Sequence, residues 1–191
     1  ETGALILARQ EALDALGWTP GDAARDPELA ARVQDAYLKC AAEHADIGDT
    51  DQLIDKLPLN TVELPLIAAA FPRARILFAV RHPADVTLSC YMQQFQLNDA
   101  MAAFLDMDTT VDLYTRVVQL WLDARASLAN RAWEQSYEAL TNAPEPEVDA
   151  LFNFLDLDVP ANALRFYEKP GGYIHTPSYA QASQPIYRSA V

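Results

Sequence analysis

An arginine, a proline and a serine at a fixed spacing are the residues of this chain best suited to hold an anion. Arg81 follows the apolar run Ile76–Val80 and precedes Pro83, a residue type favoured at the first position of a helix. The guanidinium would lie beside the N–H groups and the positive dipole end of that helix, a combination that binds phosphate. Ser89 follows about two helical turns later and would present its hydroxyl on the same side. The spacing alone also fits a structural ion pair between Arg81 and Asp85.

A lysine near a second predicted strand end could contribute to catalysis. Lys56 follows the short apolar pair Leu53-Ile54, which we predict to be a strand, and lies between Asp55 and Pro58. A lysine in such a place can stabilise negative charge on a leaving oxygen. It can equally be a surface residue paired with Asp55, and the sequence leaves both readings open.

Composition and residue spacing exclude several classes of function. The 191 residues carry 27 Asp and Glu against 14 Lys and Arg, a net charge of −13, which disfavours a nucleic-acid partner. The apolar runs are far shorter than the roughly 20 residues that cross a bilayer, so we expect no membrane span. Without a signal peptide in the sequence, we expect a cytoplasmic location. The cysteines and histidines lack metal-ligand spacing, so we expect no metal.

Helices and strands are predicted to alternate along the chain. Asp26-Pro27-Glu28 predicts a helix start, and Asn60 to Glu63 resembles a capping box for a helix reaching Phe71. Residues 75–81 are typical of a strand buried on both faces of a parallel sheet, and residues 132–137 alternate like a further strand. We therefore predict an α/β fold, a small parallel sheet flanked by helices, in a single domain over residues 1–191.

Ligands of such sheets bind beyond the carboxyl ends of the strands. Three segments of this chain follow predicted strands and become the places to look for a site: Asp55-Lys56, Arg81-His82-Pro83 and Ser136-Tyr137-Glu138.

Several segments, taken in order, carry a resemblance to a known family. They are residues 55–60, 71–76, 81–89, 137–140, 152–155 and 176–187. Their order over about residues 50–191 resembles bacterial sulfotransferases similar to the tyrosylprotein sulfotransferases, which are often linked to tetratricopeptide repeats. The resemblance implies a fold similar to P-loop kinases and transfer of a sulfuryl group from 3′-phosphoadenosine-5′-phosphosulfate (PAPS) to an acceptor hydroxyl.

The resemblance also assigns donor-binding roles to four residues. Arg81 and Ser89 match the pair that holds the 3′-phosphate of the donor, the group that distinguishes PAPS from ATP. Tyr137 and Ser178 match further donor-contacting positions. The resemblance therefore implies PAPS as donor substrate, without a metal.

Two catalytic roles follow from the same resemblance. Lys56 matches a lysine that neutralises charge on the leaving phosphate oxygen. Glu1 matches the carboxylate that acts as general base, although a frayed terminal glutamate is the alternative. The acceptor, a peptide, a sugar or a small molecule, is left open.

The chain departs from the family pattern at both ends. No loop of the Arg-Ser-Gly-Thr-Thr kind, which holds the 5′-phosphosulfate, occurs in the sequence, and the chain stops at Val191 before the usual Gly-Arg-Trp stretch. We therefore expect a partial domain that is inactive as given and that self-associates, a homodimer being one form. The alternatives are a non-catalytic binding or scaffold domain with a relict nucleotide pocket, and a P-loop-type kinase.

Overall fold

The computed structural model describes residues 3–14, 17–44, 48, 52–95, 98–168 and 185–186. The α-helices are α1 Ala4–Ala12, α2 Pro20–Ala23, α3 Pro27–Ala42, α4 Leu64–Ala70, α5 Pro83–Met92, α6 Met107–Leu128, α7 Tyr137–Asn142 and α8 Pro144–Leu155. The strands are β1 Ile76–Val80 and β2 Ala132–Ser136. Short 3₁₀ helices span Pro58–Glu63, Met101–Leu105, Ala129–Arg131 and Ala163–Glu168.

The chain divides into two compact units. Unit 1 comprises Glu1–Ala74 and Arg116–Arg131, and unit 2 comprises Arg75–Thr115 and Ala132–Val191. The predicted organisation as a single domain stays a prediction.

Unit 1 is built on helices whose apolar faces pack together. Leu13, Val33 and Leu66 are fully buried in one cluster with residues of α2 and α4. The start of α3 is as predicted, because the Asp26 carboxylate accepts a hydrogen bond from the N–H of Glu28 over 2.9 Å. This cap satisfies a helix amide that would otherwise have no partner.

A charged pair lies inside unit 1, where the sequence predicted a capping box. Glu63 is 5% exposed, and its carboxylate accepts a hydrogen bond from the Arg9 guanidinium of α1. The capping-box prediction is wrong, because Pro58–Glu63 forms a 3₁₀ helix and α4 begins only at Leu64. The Glu63 side chain therefore neutralises a cation instead of capping a helix.

The predicted strand at Leu53-Ile54 is not formed. Residues 52–57 belong to no helix or strand, and Ile54 is 85% exposed. An exposed pair of apolar residues without a strand partner cannot be stabilised as a sheet. Lys56 therefore follows an irregular segment and not a strand end.

Unit 2 contains a parallel pair of strands. β1 and β2 are hydrogen-bonded neighbours, with Ile76 opposite Ala132 and Val80 opposite Ser136. Parallel neighbours require a crossover, and here the chain between them includes α5 and α6. The arrangement is a mainly helical α/β fold with a small parallel sheet, as predicted.

The burial of β1 differs from the prediction of a strand covered on both faces. Ile76, Phe78 and Val80 are half-buried, whereas Leu77 and Ala79 are exposed. The period of two means that one face of the strand contacts the interior and the other does not.

Among the described residues, no helix is both long enough and apolar enough for a bilayer crossing.

Candidate functional site

The register of the sheet brings Arg81 and Tyr137 together. Val80 and Ser136 are opposite each other at the ends of β1 and β2, so the residues that follow them leave the sheet at the same edge. The guanidinium carbon of Arg81 lies 4.9 Å from the centre of the Tyr137 ring. A guanidinium at this distance from an aromatic face is attracted to it by about 0.5–1 kcal/mol at an exposed site. The contact places a cation at the carboxyl edge of the strands, where the sequence predicted a ligand.

The start of α5 lies beside this cation. Pro83 is the first residue of α5, and the side chain of the preceding His82 makes no cap to the helix. The Arg81 Nη2 lies 3.4 Å from Asp85 Oδ2, so the structural ion pair that the spacing suggested is present. Ser89 is exposed and lies one turn beyond Asp85, on the same face of α5. The ion-pair reading of the sequence is confirmed, and the anion site formed by Arg81 and Ser89 stays a prediction.

A carboxylate joins the two loops that follow the strands. Glu138 Oε1 accepts a hydrogen bond from the backbone N–H of His82 over 2.8 Å, and Glu138 Oε2 accepts one from the Ser136 hydroxyl over 3.0 Å. These bonds, led by that from the His82 amide and helped by the charge of Arg81, hold the pKa of Glu138 below its ordinary value. Glu138 therefore fixes the backbone on either side of the Arg81–Tyr137 contact.

Lys56 lies in unit 1, in an exposed segment tied to a helix. Its neighbour Asp55 accepts a hydrogen bond from the Tyr37 hydroxyl of α3 over 3.1 Å. Burial raises the pKa of Tyr37, and the negative charge of Asp55 raises it further. The Asp55 carboxylate is therefore held by a phenol that stays protonated.

Two of the predicted site residues, Glu1 and Ser178, lie outside the described residues. The structure thus joins Arg81 and Tyr137, places Ser89 on the adjoining helix, and describes Lys56 within the other unit. In the described part of the chain, no three His, Cys, Asp or Glu residues are grouped so as to hold a metal ion.

Sequence reasoning assigned no role to Glu138 or Tyr37. A role for Glu138 could have been predicted, because this residue lies in a segment that follows a predicted strand and in the first turn of α7. Tyr37 gave no such signal, since its apolar position in α3 is typical of a core residue and its partner Asp55 is 18 residues away.

A comparison with family sequences shows to which family the chain belongs. The sequence model of the sulfotransferase family matches residues 8–161, more than half of the chain. The chain belongs to the sulfotransferase family. The candidate site built around Arg81 lies within the matched region.

One relative of this sulfotransferase chain is an uncharacterized protein of Aquifex aeolicus (strain VF5). The two are 27% identical over 175 residues, which covers 86% of this chain and 22% of the relative. The chain thus spans about a fifth of the length of this curated relative. The tyrosylprotein likeness and the linkage to tetratricopeptide repeats stay predictions for this chain.

Proposed function

We propose that this chain is part of a sulfotransferase that moves a sulfuryl group from PAPS to an acceptor hydroxyl. The observation that carries the proposal is the 4.9 Å contact of Arg81 with Tyr137 at the edge of the paired strands, beside the first turn of α5. A cation at a helix N-terminus is suited to bind a phosphate, and the aromatic ring holds the guanidinium in a fixed direction.

Arg81 and Ser89 would hold the 3′-phosphate of the donor. The support is that Asp85, which contacts Arg81, and Ser89 share one face of α5. The Arg81–Asp85 contact is long, and its side chains are 31% and 41% exposed, so a phosphate oxygen would compete with it at modest cost. Tyr137 and Ser178 would make the further donor contacts.

The proposed chemistry needs a base and a cation. The acceptor oxygen attacks sulfur, the bond between sulfur and the bridging phosphate oxygen breaks, and that oxygen leaves with the electron pair as part of 3′,5′-adenosine bisphosphate. Lys56 would neutralise the charge that builds on the leaving oxygen. The acceptor proton would pass to the carboxylate of Glu1, because a hydroxyl loses its proton only as it attacks. Positioning and electrostatics would supply most of the rate, as in phosphoryl transfer.

The experiment that tests the proposal is calorimetry on the full-length protein with three nucleotides. We expect 3′,5′-adenosine bisphosphate to bind more tightly than 5′-AMP or ATP, because only the bisphosphate carries the 3′-phosphate that Arg81 and Ser89 would contact. Equal affinity for the bisphosphate and 5′-AMP would contradict the proposed donor.

A non-catalytic domain with a relict nucleotide pocket is the second candidate. The Arg81–Asp85 ion pair favours it, because a carboxylate already neutralises the cation that the donor would need. A full-length protein that binds the bisphosphate but does not form it from PAPS, with or without acceptor hydroxyls, would support this candidate over the enzyme.

A further inference from the structure

The segment that carries Lys56 is joined to the core of unit 1 by a hydrogen bond. Residues 52–57 form no helix or strand, and Asp55 and Lys56 are both exposed. The Tyr37 hydroxyl donates to Asp55 Oδ2 over 3.1 Å. Because a segment without secondary structure has no ladder of backbone hydrogen bonds to hold it, a side-chain bond of this kind has a large share in setting its conformation.

The donor of this bond is held rigidly. Tyr37 is 7% exposed and belongs to a buried cluster with Leu5 and Ala8 of α1. Its ring meets that of Phe71 edge to face, with 5.0 Å between the ring centres and 72° between the planes. The buried cluster and the Phe71 contact restrict the ring, so the hydroxyl is presented at a defined place on the surface of unit 1.

The chain is fixed again immediately after Lys56. Leu57 is extended, with φ −139° and ψ 125°, and Pro58 opens a 3₁₀ helix whose Thr61 and Glu63 are buried. Lys56 therefore lies between two anchors, the Asp55 carboxylate before it and the 3₁₀ helix after it.

We propose that Tyr37 is a positioning residue for Lys56 and acts through its hydrogen bond to Asp55. The inference rests on the proposed function, in which Lys56 meets the leaving oxygen of the donor. Loss of the hydroxyl would leave the lysine present but less firmly positioned, and an error of about 1 Å at a reacting atom can cost on the order of 10²-fold in rate.

The test measures where Lys56 is, without needing the acceptor. The full-length protein is treated with an amine-reactive reagent, with and without saturating 3′,5′-adenosine bisphosphate, and labelling is quantified by peptide mass spectrometry. Lys39 is the internal reference, because it lies on the same helix as Tyr37 and its side chain is 70% exposed. We expect the bisphosphate to slow labelling of Lys56 about tenfold in the unsubstituted protein and to leave Lys39 unchanged.

Tyr37→Phe removes the hydroxyl and keeps the ring. We expect the protection of Lys56 to fall below about threefold, with the affinity for the bisphosphate within about twofold of the original. Asp55→Asn weakens the bond from the exposed side and keeps a carbonyl acceptor, so it should retain more protection than Asp55→Ala. The two Asp55 variants test the hydrogen bond even if Tyr37→Phe fails to fold. Tyr114→Phe, which removes a phenol from α6, is the matched control and should keep full protection.

Formation of 3′,5′-adenosine bisphosphate from PAPS gives the second readout. We expect Tyr37→Phe to lower turnover about tenfold in the original protein and less than about twofold in a Lys56→Ala background. An equal fall in both backgrounds would overturn the proposal, since it would make Tyr37 merely structural, and so would full protection of Lys56 in Tyr37→Phe. Absence of protection in the unsubstituted protein would instead remove Lys56 from the donor site, and the proposed lysine role would fail with it.

Discussion

Glu138, in the first turn of α7, accepts a hydrogen bond from the backbone N–H of His82, 56 residues earlier in the chain. The bond ties the loop after β1 to the helix after β2, at the edge where Arg81 meets Tyr137. A single carboxylate therefore holds together the two pieces of backbone that carry the candidate donor-binding residues.

The pKa shift of Glu138 predicts a stability change in acid. Its pKa is held below the ordinary value of 4.5 in the folded state, first by the His82 N–H. Its stabilising contribution is thus fully present above 4.5 and is lost as the pH falls through the lower folded-state value. In Glu138→Gln we expect the thermal midpoint to fall less over that acidic range, whereas Glu145→Gln, a change in the first turn of α8, should keep the original profile. A Glu138→Gln profile parallel to the original would contradict the assignment.

Arg81→Ala should weaken binding of 3′,5′-adenosine bisphosphate by about 2–3 kcal/mol, because it removes a charge-assisted contact to the 3′-phosphate. Affinity for 5′-AMP should change little, since this nucleotide has no 3′-phosphate. Calorimetry on the full-length protein measures both. Arg32→Ala, an exposed arginine of α3, is the control and should leave both affinities intact. A similar loss of affinity for both nucleotides in Arg81→Ala would show that the arginine does not contact the 3′-phosphate.

Lys56→Ala should separate chemistry from binding. We expect turnover of PAPS to fall by roughly 10²-fold or more with the bisphosphate affinity nearly unchanged, because charge on the leaving oxygen builds only as the bond breaks. Lys56→Arg should not restore turnover, since a planar guanidinium cannot replace a compact ammonium. Lys39→Ala controls for the loss of an exposed lysine. Turnover that survives Lys56→Ala would leave Lys56 a surface residue.

The Arg9–Glu63 pair predicts a stability difference between single and double variants. Arg9→Met leaves the Glu63 carboxylate, whose side chain is 6% exposed, without its cation, and should cost about 2 kcal/mol or more in the free energy of unfolding. Adding Glu63→Leu should recover most of that loss. Lys39→Met breaks the exposed pair with Glu11 and should change stability by less than about 0.5 kcal/mol. Denaturant unfolding of the four proteins makes the comparison, and a double variant no better than Arg9→Met would be evidence against a buried charge.

Residues 1–191 expressed alone should self-associate, because β1 exposes an apolar face. Leu77 is 43% exposed on a sheet of two described strands, and such an edge and face invite pairing with another chain. Light scattering should show dimers or larger species that Leu77→Thr reduces. Leu53→Thr, an equally exposed leucine outside the sheet, should not reduce them. A monodisperse monomer would contradict the prediction.

Two local signals in the sequence predicted local structure correctly. The Asp26-Pro27 start of α3 is a side-chain-to-amide bond within three residues, and the apolar run of β1 contains its own strand preference, so both could be predicted. The strand predicted at Leu53-Ile54 is wrong, because a strand needs a partner and two apolar residues do not specify one.

The candidate site was predicted as a set of residues and not as a set of contacts. Arg81 and Tyr137 were each named, but their 4.9 Å separation depends on the register of Val80 with Ser136. The Tyr37–Asp55 and Arg9–Glu63 bonds join residues 18 and 54 positions apart. Nothing in the spacing of a single sequence encodes such pairs, because they are fixed by packing of whole helices.

The parallel register of β1 and β2 also has a kinetic consequence. Residues 81–131 must form a loop before Val80 can pair with Ser136, so the contact order of this sheet is high. Closing that loop lowers the chain entropy before any hydrogen bond between the strands has formed. The helices on either side can form from neighbouring residues on much shorter timescales. Arg81 and Tyr137 meet only after this slow ring closure, so the candidate donor site assembles late in folding and is absent from any intermediate in which the strands are still apart.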